Sequence, residues 1–188
     1  ELDDSECSLD SKIYNVYFSD NGIDNFEIIA SISENYYLHK DLTNLKGSYF
    51  ITALDRSGNE SIPSDTVHRD NCPYYLLPNV FTPNEDGKND FFTPFYSDGS
   101  IPNFDYNKCP RFVKSVIFNV FDRTGVKLFS YNSLEDVENG IYINWDGKDF
   151  DGKDLASGTY YFTADVIYDI LDKENDQKQI KGWVQILK

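Results

Sequence analysis

The sequence predicts an all-β protein made of two consecutive β-sandwich modules, the first of them incomplete. Aromatic residues make up 16% of the chain, with 14 Tyr and 14 Phe, and aromatic side chains favour strands. Short alternating runs recur about every 10 residues and are separated by turns such as Asp20-Asn21-Gly22, which is typical of a sandwich. A change of pattern near Cys72 divides the chain into modules at residues 1–71 and 72–188.

The first module is predicted to contain five strands. The first begins at Tyr14, with Tyr14, Val16 and Phe18 on one face because strand side chains alternate. The strands are expected at residues 14–19, 26–31, 36–42, 48–55 and 64–69. Residues 1–13 leave no room for two opening strands, so we expect this module to be cut short. The opening residues also lack a leader pattern, which predicts a piece of a longer protein.

The second module is predicted to contain longer strands separated by acidic, glycine-punctuated loops. Val116, Phe118 and Val120 share one face of one strand, and Tyr160, Phe162, Ala164 and Val166 share one face of another. The strands are expected at residues 112–121, 126–130, 158–169 and 180–187, and an apolar run at residues 74–81 leads into the first acidic loop. No helix of ordinary length is predicted.

The charge of the chain excludes two classes of function. Lys and Arg number 17 against 32 Asp and Glu, which gives a net charge of −15. A chain this acidic repels phosphate, so we expect it to bind neither nucleic acid nor anionic lipid. No apolar run approaches the roughly 18 residues that a membrane span requires, so direct membrane insertion is not expected.

The first module resembles fibronectin type III modules. The resemblance rests on residues 49–67, YFITALDRSGNESIPSDTV, which are similar to the last two strands of those modules. Tyr49 stands where a tyrosine corner is found, with its hydroxyl bonded to an upstream backbone group. The resemblance covers residues 14–70.

The second module resembles the gliding-motility-associated C-terminal domains. Four blocks carry the likeness in the right order: LPNVFTPNEDGKND from Leu77, VIFNVFDRTG from Val116, WDGK with GKDLASGTYY from Trp145, and KGWVQILK from Lys181. Glu85, Asp122 and Thr124 depart from the usual pattern. The resemblance implies an Ig-like domain that serves as a type B sorting signal of the type IX secretion system.

The resemblance also implies a location and partners. Such domains lie at the ends of large secreted proteins, including gliding adhesins, and are recognised by the translocon and by PorP/SprF-type outer-membrane barrel proteins. We therefore expect a non-enzymatic, secreted protein attached at the cell surface. The closing strand offers an edge for strand addition by a partner. The residues expected to bind that partner are Trp183, Ile186, Leu187 and Lys188.

The two acidic loops are candidate Ca²⁺ sites, because Ca²⁺ prefers clustered oxygen ligands. Neither has the spacing of an EF-hand. The alternative is that these side chains bond their own backbone in Asx-turns. The candidate ligands are Asn84, Asp86, Asn89 and Asp90 in the first loop and Asp146, Asp149, Asp151 and Asp154 in the second.

Three cysteines raise the question of a disulfide. Cys72 and Cys109 flank a long loop and each precedes a proline, so in an exported protein we expect them to form a bridge. Cys7 is then left over, with a partner expected upstream.

Catalysis has little support in the sequence. His39 and His68 lie in predicted strands without a nearby nucleophile, and no G-x-S-x-G motif is present. Aromatic residues such as Tyr36, Tyr74, Trp145 and Trp183 could instead form a sugar-stacking face. The alternative function is therefore a carbohydrate-binding accessory module of a secreted polysaccharide-degrading protein.

Overall fold

A computed structural model describes residues 13–95 and 105–188 and shows an all-β protein, as the sequence predicts. The described residues form nine strands in two sheets and one short 3-10 turn at Tyr106–Lys108, and they include no α-helix. The chain divides into two compact units, Glu1–Asn71 and Cys72–Lys188. Cys7 lies outside the described residues.

The first unit holds a four-stranded antiparallel sheet in the order β2-β1-β3-β4. Four of the five expected strands are found, each within about three residues of the predicted bounds. Their bounds are β1 (Ile13–Ser19), β2 (Glu27–Ile32), β3 (Gly47–Leu54) and β4 (Val67–Arg69).

One face of this sheet is apolar, and among the described residues it is only partly covered, by the segment at residues 34–39. Val16 is the only hydrophobic side chain fully buried among residues 13–71. A groove of about 540 Å³ runs over the face and is lined by residues that include Tyr14, Val16, Tyr49 and Ile51. A sandwich would cover such a face with a second sheet, and the described residues of this unit form one sheet.

The strand expected at residues 36–42 is wrong. These residues pair with no strand in the described part of the chain. Tyr37 and His39 instead lie over the sheet, with the His39 ring centroid 5.0 Å from that of Phe18 and 5.9 Å from that of Tyr49. An aromatic-rich run fits a segment that covers a sheet face as well as it fits a strand, which accounts for the error.

Tyr49 differs from the expected tyrosine corner in its partner. Its hydroxyl lies 2.9 Å from His39 Nδ1, a side-chain atom. Burial of the ring raises the pKa of this phenol. Tyr49 therefore ties the sheet to the segment over its face through a histidine ring.

The second unit is built on a five-stranded sheet in the order β5-β9-β8-β6-β7, antiparallel except for the parallel pair β5 and β9. Of the apolar run at residues 74–81, two residues form β5, while Tyr74 makes one isolated bridge to Arg111. The strands are β5 (Val80–Phe81), β6 (Val113–Phe121), β7 (Lys127–Asn132), β8 (Gly158–Tyr168) and β9 (Gln177–Ile186).

The core of this unit lies on one face of the sheet. The predicted inward faces of β6 and β8 are buried: Val116, Phe118 and Val120 on β6, and Ala164 and Val166 on β8. The second layer comes from irregular segments that carry Phe92 and Trp145, which are joined by an isolated bridge between these two residues. Phe81 of β5 packs against both of their rings. The Phe92 ring lies 5.4 Å from Phe118 and 5.6 Å from Phe162, so it links the two layers.

Candidate functional site

Two acidic loops of the second unit meet at one shallow cleft. The first loop, residues 82–90, follows β5, and the second, residues 146–157, precedes β8. The cleft has a volume of about 130 Å³. It places the carboxylates of Glu85, Asp90, Asp146 and Asp154 around Lys148.

The first loop is organised by the Asp90 carboxylate. Its Oδ1 accepts the backbone N–H groups of Asn84 and Glu85 at 3.1 and 2.7 Å, and its Oδ2 accepts that of Gly87 at 2.7 Å. Desolvation acts to raise the pKa of Asp90, but these donors together outweigh it and hold the pKa below its ordinary value. Asp90 is therefore an ionised anchor for its own loop.

The second loop is organised in the same way by Asp149. Its Oδ1 accepts the N–H groups of Asp151 and Lys153 at 3.0 and 2.9 Å. At the loop entrance, Lys148 Nζ lies 3.0 Å from Asp146 Oδ2. This hydrogen bond and the charge of Asp146 raise the pKa of Lys148.

The two loops are held together by close packing at Gly147. A Cβ atom at this position would lie 3.2 Å from Pro83 Cγ and 3.3 Å from the Phe81 ring, and the backbone has a φ of +80°. Glycine adopts this conformation without steric cost. The first motif block therefore packs directly on the third.

Four of the eight predicted cation ligands accept the backbone N–H of the residue two positions further on, as in Asx-turns: Asn84, Asp86, Asp146 and Asp149. Both oxygens of Asp90 accept backbone N–H groups, as does Oδ1 of Asp86 from Lys88 at 2.8 Å. Among residues 13–95 and 105–188, no group of three or more His, Cys, Asp or Glu side chains is arranged to hold a metal ion. The oxygens that make these bonds are directed at the backbone of their own loops, and binding of Ca²⁺ by these loops stays a prediction.

The end of β9 is fastened to both loop regions. Leu187 donates its N–H to the Phe81 carbonyl at 3.2 Å, and Lys188 donates its N–H to Ser157 Oγ at 3.1 Å. Lys188 Nζ also lies 3.3 Å from Asp154 Oδ1. Ile186 is fully buried, whereas Leu187 and Lys188 are exposed.

An aromatic row crosses the outer face of the sheet. Phe121 on β6 pairs with Tyr161 on β8, and Tyr161 pairs with Trp183 on β9. Tyr161 is 50% exposed and Trp183 is 48% exposed. We call Phe121, Tyr161 and Trp183 the aromatic row. The sequence places Trp183 on the outer face, but the row depends on strand register, which the sequence does not reveal.

Cys72 and Cys109 are free cysteines, so the expected bridge is absent from the structure. The antiparallel pairing of Tyr74 with Arg111 explains this. Each cysteine precedes its paired residue by two positions, and antiparallel segments run in opposite directions from a pair. The two cysteines therefore lie on opposite sides of it.

A serine–histidine contact in the first unit was not expected from the sequence. Ser48 on β3 pairs with His68 on β4, and Ser48 Oγ lies 2.6 Å from His68 Nδ1. The Ser48 hydroxyl also donates to the Gly22 carbonyl at 3.0 Å, and Ser48 is fully buried. A buried hydroxyl that already donates to a carbonyl is bound as a structural group.

Comparison with known families identifies the second unit. The model of the CHU_C type IX secretion signal domain matches residues 75–186. This chain belongs to the CHU_C family. The match takes in the first three motif blocks and the fourth as far as Ile186, and it confirms the resemblance to type IX sorting domains. The chain therefore carries the C-terminal signal region of type IX secretion cargo.

Two further comparisons add little to this. No curated protein matches the chain. Among solved structures, the chain is similar to the crystal structure of dimeric latent PorU from Porphyromonas gingivalis, at 14% identity and a TM-score of 0.34. The similarity covers 94% of this chain and 16% of that chain. At this score the likeness establishes neither a shared fold nor a shared role.

The CHU_C motif blocks supply mostly core and loop residues. Phe81, Trp145 and Val184 are buried, and Asp90 shapes the first loop. Trp183 is the exposed aromatic residue of the last block. No helix in the described part of the chain has the length and apolar character needed to cross a membrane.

Proposed function

We propose that this chain is the C-terminal region of a non-enzymatic, adhesin-like surface protein, and that an outer-membrane partner recognises its CHU_C domain during type IX export. A PorP/SprF-type barrel protein is the expected partner, and gliding motility is the expected setting. The observation that carries the proposal is the family match over residues 75–186.

The structure of the domain is compatible with a signal that is read as a folded surface. The loops are fixed by their own carboxylates, and the end of β9 is bound to both loop regions. Trp183 stands half exposed on this rigid support, and tryptophan is enriched among residues that dominate binding energy. A partner would therefore meet an ordered surface.

An export assay tests the proposal. Residues 72–188 would be fused behind a signal peptide and a fluorescent reporter in a bacterium that exports its own proteins with CHU_C domains. We expect the reporter at the cell surface or in the medium, and we expect it to be lost in a translocon mutant. A folded reporter that stays in the periplasm of that host would contradict the sorting role.

The aromatic row favours one second candidate function, which is carbohydrate binding. Aromatic rings aligned across a flat sheet can stack on sugar rings. Affinity gels that contain soluble polysaccharides would test this with the isolated chain. Retardation that is lost in Tyr161→Ala would support the candidate, and migration equal to that in a gel without polysaccharide would refute it.

A further inference from the structure

β9 has an unpaired edge over most of its length. Its partner on one side, β8, pairs with it from Gln177 to Ile186. On the other side, β5 pairs only with Gln185 and Ile186. In the described part of the chain, no strand lies beside the edge from Gln177 to Val184.

Two hydrogen bonds show which backbone groups face this edge. Gln185 donates its N–H to the Asn79 carbonyl at 2.9 Å, and Leu187 donates to the Phe81 carbonyl, so both N–H groups point away from β8. Backbone groups alternate between the two sides of a strand with a period of two, and the pairing with β8 has no register shift. The N–H and C=O groups of Gln179, Lys181 and Trp183 therefore face the open edge.

This edge has one of the features that usually protect an edge strand and lacks three others. Proteins shield such edges with bulges, prolines, short strands or a covering segment, and with lysine. β9 has ten residues, no bulge and no proline, and no strand of the described residues pairs with this edge between Gln177 and Val184. It carries Lys178 and Lys181, but it also places the half-exposed Trp183 beside the free backbone groups. An unshielded, regular edge next to an aromatic anchor has the form of a strand-addition site.

The positive charge of the β9 edge indicates which kind of strand could be added to it. β9 has two lysines and no acidic residue, in a chain with a net charge of −15. Lys178 and Lys181 form no ion pair with any described residue. The acidic residue Asp165 on the neighbouring strand instead accepts a hydrogen bond from Gln179, at 2.7 Å. Complementary charge steers partners and rejects like charge.

We propose that the free edge of β9 receives an extended, acidic segment of the recognition partner, which adds a strand to the sheet through Gln179, Lys181 and Trp183. This inference rests on the proposed sorting function and specifies how the signal is read. The backbone groups bind the added strand, Trp183 anchors it, and the lysines select acidic side chains.

Proline substitution tests the backbone contact directly. Gln179→Pro removes an N–H that faces the open edge and no hydrogen bond to β8, and proline is tolerated at such positions. Gln179→Thr is the matched variant, because it loses the same side-chain bond to Asp165 and keeps the N–H. We expect the exported fraction of Gln179→Pro to be at least tenfold lower than that of Gln179→Thr. Equal export of the two variants would overturn the proposal.

The opposite edge of the sheet supplies a control. Ser133 donates its N–H to the Val116 carbonyl, so Ser130 on β7 points its N–H away from β6, toward that edge. We expect Ser130→Pro to be exported within twofold of Ser130→Thr. If the exported fraction of Ser130→Pro were also tenfold lower, export would respond to a proline at either edge of the sheet, and the specific role of β9 would be refuted.

Charge and folding are tested in the same assay. We expect Lys181→Glu to be exported at least threefold less than Lys181→Gln, and equal export would overturn the acidic identity of the strand.

Thermal melting of each purified chain verifies that the variants fold. If Gln179→Pro does not fold, a comparison of the export of Lys181→Pro with that of Lys181→Thr replaces it. A wild-type fusion that is not exported would refute the proposed function itself, whereas an exported wild type with indifferent proline variants would refute strand addition alone.

Discussion

The ring of Phe162 lies against Gly182 so closely that a Cβ atom at residue 182 would be 2.6 Å from Phe162 Cζ. The two residues pair across β8 and β9. The absence of a side chain at Gly182 lets the Phe162 ring lie over β9 and reach the aromatic core. This contact couples the packing of the last strand to the centre of the unit.

Gly182→Ala should destabilise the second unit because the Phe162 ring has to move. Overpacking of this kind costs about 1–3 kcal/mol of unfolding free energy. Chemical denaturation of the purified chain would measure the loss. Gly158→Ala is the control, because its Cβ would approach no atom closer than 4.0 Å. Equal stability of the two variants would contradict the close contact.

Asp90→Asn should lower stability at neutral pH and lose this effect in acid. The pKa of Asp90 is below its ordinary value in the folded chain, so the ionised carboxylate stabilises the fold above the unfolded pKa of about 3.9. This contribution disappears as the pH falls through the folded pKa. Melting temperatures of wild type and Asp90→Asn should therefore differ at pH 7 and converge as the pH falls below about 4.

Asp151→Asn serves as the control for that experiment, since the Asp151 carboxylate accepts no hydrogen bond from the described residues. Its melting temperature should follow the wild type at every pH. A gap between wild type and Asp90→Asn that stays constant down to pH 2 would show that ionisation of Asp90 does not support the loop.

Trp183→Ala should separate recognition from stability. Because Trp183 is half exposed, its removal should cost about 1–2 kcal/mol, whereas Trp145→Ala in the core should cost about 3–5 kcal/mol. Export of Trp183→Ala should nevertheless fall by tenfold or more. Leu134→Ala, which changes an exposed apolar residue outside the aromatic row, should be exported normally. Normal export of Trp183→Ala would remove Trp183 from the recognition surface.

Deletion of residues 180–188 should abolish export and also unfold the second unit. Val184 and Ile186 are fully buried, and β9 lies between β8 and β5. Limited proteolysis of the truncated chain should cleave throughout residues 72–179. Normal export of this truncation would contradict a role for the closing strand, as would a protease-resistant second unit.

Addition of Ca²⁺ should leave the melting temperature unchanged relative to NaCl at the same ionic strength. A cation present at a hundredfold excess over its dissociation constant would add about 2.7 kcal/mol. The loop carboxylates instead accept backbone N–H groups. A rise that is specific to Ca²⁺ and is abolished by a chelator would show that the loops rearrange to bind it.

The sequence predicts the long strands well because their information is local. β6 and β8 alternate apolar and polar side chains over many residues, so the faces with Phe118 and Ala164 follow from the pattern. The run at residues 36–42 failed because an aromatic segment over a sheet resembles a strand. The two-residue strand β5 is not predicted from the sequence either, since it is defined only by its pairing with β9.

The sequence predicts the residues of the candidate site but not how they are arranged in space. Both acidic loops and Trp183 are visible in the sequence. Their arrangement depends on contacts between distant residues, such as Gly147 against Pro83 and Trp183 beside Tyr161. The disulfide expectation failed for the same reason, because the direction of the Tyr74–Arg111 pair decides where the cysteines lie.

The position of β9 in the sheet has a consequence for the order of synthesis. β9 is the last strand of the domain to leave the ribosome, yet it supplies the buried Val184 and Ile186 and bonds to β5 at the beginning of the same domain. A chain that is interrupted before residue 177 cannot complete the sheet. The folded signal is therefore present only on a finished domain. If export requires the folded domain, chains whose translation stopped before β9 are not exported.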